Sequence, residues 1–409
     1  MKILFVNVFR SKGSTGSIVS CLGDYMKQTG HTPIYCYREG PETDYKENFC
    51  IGRRWETAIS WRLSYLFGRP YGFAWFSTLR LLSVIKKTKP DLVNLHSING
   101  SYVNIPWLIG WLKKHKIPVV IVHHSEYLYT GNCTHALDCM QWEQGCRQCV
   151  VHRNLHLSLI KDRSAQCYSD MKRAFSGISG CSAIAVSDWV RDRARRSAIM
   201  QDIPHYTVEN CVDETVFYPR NADSLRRELG IPEHRKVIFL STAYFSDTDD
   251  GIKGGKYIVA LAKALEKKDV TVVIAALSSE IQNKLPDNIL LTGAITDRQV
   301  LAEYYSLADA AVIVSKRETF SMPVAEALMC GTPVAGFCAG GPEAIAIAEY
   351  SRFVEYGDTE ALGKAVTEIL EMKAYSGEIA KAAREKYTEK TMCESYMRIF
   401  LKTLVQMGR

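Results

Sequence analysis

Short runs of consecutive apolar residues, each closed by a polar or glycine-bearing turn, recur along the whole chain. They alternate with stretches in which apolar positions return every three or four residues. Runs that are apolar on successive positions predict strands buried on both faces, and the intervening periodicity predicts helices that cover them. In the first half such strands are expected at 2–8 (KILFVNV), 32–37 (TPIYCY), 91–96 (DLVNLH), 119–124 (VVIVHH) and 183–187 (AIAVS). The second half repeats the rhythm at 236–242 (KVIFLST), 270–277 (VTVVIAAL), 288–293 (NILLTG), 310–315 (AAVIVS) and 333–337 (PVAGF). A helix such as IVSCLGDYMKQTG ends on Gly30, a residue suited to a helix C-cap.

The two series meet in a polar, turn-rich connection around 203–230, and a helix over about 378–406 ends the chain. The pattern predicts an α/β fold of two doubly wound, Rossmann-like domains facing a central cleft. Their expected extents are 1–205 and 206–385, with a C-terminal helix, 386–409, packing back toward the first domain. In such sheets ligands bind beyond the carboxyl ends of the strands, so chemistry is sought in the loops that follow them.

At 409 residues, 47% hydrophobic and 23% charged, the chain has the composition of a water-soluble globular protein. It has no apolar run of membrane-spanning length, and Met1 leads straight into the first strand, so a cytoplasmic location is expected. The net charge of +7 is unevenly spread. Residues 53–89 carry eight basic side chains (Arg53, Arg54, Arg62, Arg69, Arg80, Lys86, Lys87, Lys89) against one acid, Glu56. Eight aromatics are interleaved among them, from Trp55 to Phe76. That mixture suits an anionic membrane surface, because Trp and Tyr sit at the headgroup boundary and Lys and Arg pair with phosphate. The other reading is a helical hairpin whose aromatics are core. No nucleic-acid motif accompanies the patch, and nucleic acid is not expected as a partner.

Candidate chemistry is densest at 315–337, SKRETFSMPVAEALMCGTPVAGF. A strand ends, a loop carries Glu318, Pro323 falls in a first helical turn, and Glu326 follows at E-x7-E spacing. The N–H groups of Phe320, Ser321 and Met322 at a helix start form a site suited to a pyrophosphate. Glu326, placed in the first turn, can accept hydrogen bonds from vicinal hydroxyls such as a ribose diol, and Glu318 would face what lies beyond the phosphates. Taken alone, two glutamates read equally as a helix-end charge and a solvated loop acid. The whole unit of strand, E-x7-E, helix, GTPV and strand does not.

This unit resembles that of the retaining family 4 glycosyltransferases, which have the two-domain GT-B fold. The resemblance runs through most of the chain: VENCVDETVFYP (208–219), TGAITDRQVLAEYYSLADAAVIVSKRETF, GGPEAI (340–345) and SKGSTGSIV (11–19) all have counterparts. It is nearest to capsule and exopolysaccharide enzymes, which often carry a cysteine cluster after a run that here reads IVHHSEYLYTGNC. The resemblance implies that Glu318 contacts donor-sugar hydroxyls, that Glu326 contacts the ribose, and that Lys253 neutralises the leaving diphosphate. The arginine usual five residues before that lysine is Thr248 here, with Lys256 or Arg317 as candidate substitutes. Gly16 would let backbone approach the donor phosphate or the acceptor. His124 falls where the family has a histidine near the transferred sugar, although Ser125 replaces the aspartate that follows, and His123 is the adjacent alternative. His96 and Asn99 would line the acceptor side.

The resemblance thus implies transfer of a sugar from a nucleotide-diphosphate donor to a growing, lipid-linked oligosaccharide in bacterial surface polysaccharide synthesis, with no catalytic divalent metal. A nucleotide-sugar epimerase of the same fold and a non-catalytic zinc-stabilised sugar-binding protein are the alternatives. Of thirteen cysteines, four fall together at Cys133, Cys139, Cys146 and Cys149, in the pattern C-x5-C-x6-C-x2-C. Four thiolates suit a structural zinc; an iron–sulfur cluster and a metal-free loop are the other possibilities, and His135 and His152 could replace one ligand.

Overall fold

The structure, a computed structural model, describes residues 1–40, 47–131, 133–149, 159, 162–248 and 252–408. His152 lies outside the described residues. The chain divides into two compact units, residues 1–208 with 393–409, and residues 209–392.

In the first unit the described strands are β1 (Lys2–Phe9), β2 (Thr32–Glu39), β3 (Asn48–Cys50), β4 (Leu92–Leu95), β5 (Val119–His123), β6 (Cys181–Ala185) and β7 (His205–Thr207). They form one parallel sheet in the order β3-β2-β1-β4-β5-β6-β7. Five successive residues of β1, Ile3 to Asn7, are buried, as a strand covered on both faces requires. The order reverses between β1 and β4, so the loops after these two strands open onto a switch point.

The second unit has β8 (Lys236–Ser246), β9 (Val270–Glu280), β10 (Ile289–Gly293), β11 (Ala310–Ile313), β12 (Val334–Phe337) and β13 (Ser351–Val354). Their order is β10-β9-β8-β11-β12-β13, again parallel, with the switch point between β8 and β11. Its core joins Ile238, Leu240, Val272, Ile274, Val312 and Ala335 of the strands to helix residues such as Ile258, Leu261, Leu362 and Val366. Both domains are thus doubly wound α/β units.

Three features depart from the periodicity. β8 and β9 run past their apolar segments, pairing Tyr244 with Ser278, Phe245 with Ser279 and Ser246 with Glu280. Backbone pairing continues there although the side chains turn polar, and the Tyr244 hydroxyl donates to Glu280 at 2.9 Å. The short edge strands β3 and β7 and the strand β13 carry too few apolar residues to announce themselves. The single helix expected over 378–406 is two, Ser376–Tyr387 and Glu389–Val405. It breaks at Thr388, whose ψ is 153°, because the Tyr387 carbonyl is taken by the N–H of Val212 at 2.8 Å.

The last stretch of that second helix belongs to the first unit. Phe400 is fully buried and sets its ring 6.5 Å from Phe5, and the Thr403 hydroxyl donates to Ser182 at 2.8 Å. Phe400→Ala is expected to destabilise the first unit by about 3–5 kcal/mol, the range for an emptied aromatic core site. A urea unfolding midpoint that does not move would show that this helix lies outside the core.

Candidate active site

Lys253 follows β8 and Glu318 follows β11, so the switch point of the second unit brings them together although 65 residues separate them. The Lys253 Nζ donates to Glu318 Oε1 at 2.7 Å, in a half-buried ion pair. Backbone packing sets this distance. Gly254 has φ 63°, and a Cβ there would lie 2.2 Å from the Val314 carbonyl oxygen. A Cβ on Gly255 would lie 2.1 Å from that of Ser246. Glycines are therefore required for the start of helix Gly255–Leu265 to wedge between the ends of β8 and β11. The N–H of Lys316 closes the wedge on the Ile252 carbonyl at 2.7 Å.

Glu318 is clamped from its other side by the turn GGPE. Its N–H donates to Ala339 at 3.0 Å, and its carbonyl accepts from Gly341 at 2.8 Å, forming a parallel bridge with Gly340. A Cβ on Gly341 would sit 2.4 Å from the carbonyl carbon of Thr319. The Glu343 carboxylate holds the turn itself, accepting the N–H groups of Ala339 at 2.9 Å and Gly340 at 2.8 Å. Glu343 is a positioning residue that periodicity alone did not reveal; its signal was the E in GGPEAI.

After Glu318 the chain turns through Phe320, which is buried, and Ser321, which adopts φ 85° and ψ 85°, into helix Met322–Met329. A non-glycine residue in that region costs of order 1–3 kcal/mol, held by its surroundings. Among the described residues the N–H groups of Phe320, Ser321 and Met322 find no protein acceptor. Unpaired N–H groups at a helix start are the arrangement that suits an anion.

Glu326 is the fifth residue of this helix, in its second turn, not its first. Its Oε2 accepts from the Tyr305 hydroxyl at 3.3 Å. Burial raises its pKa from 4.5 to about 7, against the lowering pull of Arg298 and Tyr305. Tyr305 and Arg298 were not singled out in the sequence, since both lie on helix Arg298–Leu307, far from the E-x7-E run in sequence. Lys256, one of the candidate substitutes for the missing arginine, lies 5.1 Å from the ring of its neighbour Tyr257, and Thr248, which holds the arginine's position, packs its hydroxyl 3.3 Å from that of Ser246.

In the first unit His96 follows β4 and His124 follows β5, and their rings meet: His96 Nδ1 and His124 Nε2 are 3.0 Å apart. The proton positions follow from the partners. Asn94 donates its amide to Val120, which turns its carbonyl oxygen to His96 Nε2 at 2.7 Å. His96 must therefore donate from Nε2 and accept at Nδ1, so His124 donates from Nε2 and presents Nδ1 as an acceptor. Burial drives both rings to the neutral form, His124 to a pKa of about 4 and His96 well below its ordinary 6.5. His123 is a core residue, stacked on His205 at 6.0 Å, with neither ring nitrogen hydrogen-bonded among the described residues.

Asn99 lines a pocket of about 530 Å³ with Arg38, Arg54, Trp61 and Arg62. Gly16 lies in the first helix, Gly13–Gln28, and its missing Cβ would come 2.8 Å from the Ser11 carbonyl carbon. What requires glycine there is the chain's own loop.

The exposed faces of helices Arg54–Phe67 and Trp75–Thr88 invert the usual polarity. Glu56, Ser60 and Ser64 point inward, Glu56 onto Arg80, while Trp55, Ile59, Trp61, Trp75, Phe76 and Leu79 face outward. Phe76 is 61% exposed, and of the eight aromatics only Tyr71 is buried, so the patch is not core.

Two family models match the chain, "Glycosyltransferase Family 4" over residues 16–216 and "Glycosyl transferases group 1" over 237–372. Both units are glycosyltransferase domains of the GT-B fold. The chain is 25% identical over 197 residues to N-acetyl-alpha-D-glucosaminyl L-malate synthase of Bacillus anthracis, a match covering 46% of this chain and 50% of that protein. It spans only about half the length of that relative. It is 22% identical to the "Putative colanic acid biosynthesis glycosyl transferase WcaC" of Escherichia coli strain K12, over 82% of each chain. Among solved structures, Anabaena Alr3699/HepE in complex with UDP-glucose superposes with a TM-score of 0.60 at 14% identity, covering 99% of both chains.

A carboxylic acid whose pKa is higher folded than unfolded opposes folding once it ionises. For Glu326 that penalty is absent below about pH 4.5 and complete above about pH 7. Glu326→Gln removes it, so the variant's Tm relative to the unmodified protein is expected to rise across that window and then level off. A difference that stays flat with pH would show that Glu326 ionises as readily folded as unfolded.

Proposed function

We propose that the protein is a retaining glycosyltransferase that moves a sugar from a nucleotide-diphosphate donor to a growing, lipid-linked oligosaccharide of a bacterial surface polysaccharide. The Lys253–Glu318 pair beside the start of helix Met322–Met329 carries this reading. The relatives named for polysaccharide synthesis and for UDP-glucose binding lend it support.

In this mechanism the donor diphosphate lies against the N–H groups of residues 320–322 and draws the Lys253 ammonium toward it. Glu318 exchanges one charge-assisted partner for hydroxyls of the donor sugar, and Glu326 receives the ribose diol. As the bond to the diphosphate breaks, the growing negative charge on the leaving oxygen falls on Lys253 and the helix start. The acceptor hydroxyl then attacks the same face, passing its proton to the leaving phosphate oxygen. His124, held neutral by burial, would bring no positive charge to a contact with a sugar hydroxyl.

On the acceptor side, the pocket of Asn99 with Arg38, Arg54 and Arg62 suits a phosphate-bearing lipid head. The outward aromatic faces of helices Arg54–Phe67 and Trp75–Thr88, ringed by arginine and lysine, suit the anionic membrane surface that would carry that lipid. No helix among the described residues is long and apolar enough to cross a membrane.

Glu318→Gln removes a charge-assisted contact worth on the order of 1.5–3 kcal/mol, so transfer should fall roughly ten- to a hundredfold. The assay follows sugar incorporation into lipid-linked acceptor from a panel of nucleotide-diphosphate sugars. Undiminished transfer in the variant, or conversion of the donor sugar without any acceptor, would overturn the reading.

Flotation with vesicles containing anionic lipid should retain the protein, and reversing Arg53, Arg54, Lys86 and Lys87 to Glu should release it. Binding that is indifferent to those charges would remove the membrane surface from the proposal.

A further inference from the structure

The end of β2, the loop after β4 and helix Arg54–Phe67 enclose the pocket of about 530 Å³ in the first unit. Its charged lining is unbalanced: Arg38, Arg54 and Arg62 stand against the single acid Glu39, a surplus of two positive charges. Glu39 engages two of these arginines, with its Oε2 3.4 Å from Arg38 and its Oε1 3.0 Å from Arg54. Arg62 makes no ion pair among the described residues. The pocket therefore has cationic groups to offer an anion.

Arg38 is seated by backbone. A Cβ on Gly52 would lie 2.6 Å from its Cγ, and one on Gly100 would lie 3.1 Å from its Nη1. The guanidinium donates to the Gly100 carbonyl at 3.3 Å and lies 5.5 Å from the centre of the Phe9 ring. Arg62, by contrast, is exposed and joins the pocket to the outward face of its helix. It follows Trp55 by seven residues and Ile59 by three, which places all three on one stripe, and both apolar side chains are exposed. Trp61, which also lines the pocket, stacks on Tyr65 at 5.8 Å. A cationic pocket that runs into an exposed apolar stripe suits an anionic group borne on a hydrocarbon chain.

We propose that this pocket holds the diphosphate of a lipid-diphosphate-linked acceptor, with the lipid leaving along the stripe of Trp55, Ile59 and Arg62. A diphosphate diester carries two negative charges, which equals the surplus in the pocket. Arg38 and Arg54 exchange Glu39 for its oxygens, Arg62 adds a third guanidinium, and the partly exposed Glu39 is taken over by water. A single-phosphate diester would leave one positive charge unmatched.

This assignment rests on the reading above, with transfer beside His96 and His124, and it adds a place in a reaction sequence. Asn99, at the pocket, is three residues beyond His96, so their Cα atoms are at most about 11 Å apart. That reach leaves room for about one or two sugar rings between the diphosphate and the histidine pair. The acceptor is therefore short. In the transfer, the acceptor hydroxyl oxygen bonds to the anomeric carbon of the donor as the bond from that carbon to the nucleoside diphosphate breaks. The hydroxyl proton departs with the nucleoside diphosphate, and the lipid diphosphate is unchanged. A different class of reaction must supply this acceptor. In it a lipid phosphate attacks the sugar-bearing phosphorus of a nucleotide-diphosphate sugar, expels nucleoside monophosphate and becomes the lipid-diphosphate sugar.

Binding is measured apart from transfer, by calorimetric titration of the full chain without donor. The probes are farnesyl diphosphate, farnesyl phosphate, inorganic pyrophosphate and farnesol. Farnesyl diphosphate should bind at least about tenfold more tightly than the other three, and Arg38→Ala and Arg62→Ala should each weaken it about tenfold. Arg62 is exposed, so its variant should keep the Tm of the unmodified protein and report on the pocket alone. Equal binding of pyrophosphate would make this a site for free anions, and equal binding of farnesol would make it an apolar one. Displacement of farnesyl diphosphate by UDP would assign the pocket to the donor, and unchanged affinity in Arg62→Ala would put the ligand elsewhere. Each of these results overturns the proposal. A transfer assay then compares lipid-diphosphate acceptors carrying one, two and several sugars. The shorter two should be used at least about tenfold faster, and preference for the longest would refute the early place in the sequence. Binding intact with no transfer to any acceptor would instead count against the activity proposed above while supporting the pocket's ligand.

Discussion

The second unit depends on backbone meeting backbone with no side chain between. Gly254 and Gly255 place the start of one helix against the carbonyls of Val314 and Ser246, and Gly341 lays the following turn on Thr319. These contacts bring Lys253 to within 2.7 Å of Glu318. The pair is half-buried and screened by solvent, so its direct contribution to stability is small. Its value is positional: it holds a cation and an anion together at the end of the switch point, next in sequence to the start of helix Met322–Met329. Glu326 is set differently, by desolvation next to Tyr305, which leaves one of the two acids poised near neutrality while the other is engaged by an ammonium.

The first unit uses a chain of neutral hydrogen bonds instead of charge. From Val120 through Asn94 and His96 to His124 each donor has one acceptor, and the direction of the whole relay follows from the fixed amide of Asn94. Burial removes the cationic form of both rings, so the relay determines which nitrogen of His124 is presented. Tyr127 and the buried Glu126–Arg193 pair hold this arrangement from the cysteine-bearing loop, which makes that loop part of the scaffold and not a surface insertion.

The two helices after β3 show how a surface can be specialised without strain. The first turns small or polar residues inward, Glu56, Ser60 and Ser64, while the second buries Leu81, Leu82 and Ile85; the buried Glu56 is matched by Arg80, which also donates to the Ile51 carbonyl at 2.7 Å. The aromatic side chains Trp55, Trp61, Trp75 and Phe76 face outward, at an energetic cost in water that a lipid interface would relieve.

The alternation of apolar runs and helical periods carried enough information to determine the two doubly wound domains, because strands buried on both faces have no other way to hide their side chains. The E-x7-E spacing and the glycine-rich segments marked the loops after β8 and β11, since chemistry in parallel sheets collects at strand ends. What the periodicity could not carry were contacts between distant segments. Tyr305 and Arg298 beside Glu326, Asn94 behind His96, and the inward Glu56 are set by three-dimensional packing, as is the break at Thr388, where Val212 competes for a helical carbonyl. Local sequence encodes propensity and pattern. Which buried polar group finds which partner, and hence each proton's place and each carboxylate's charge, was decided only when the chain closed on itself.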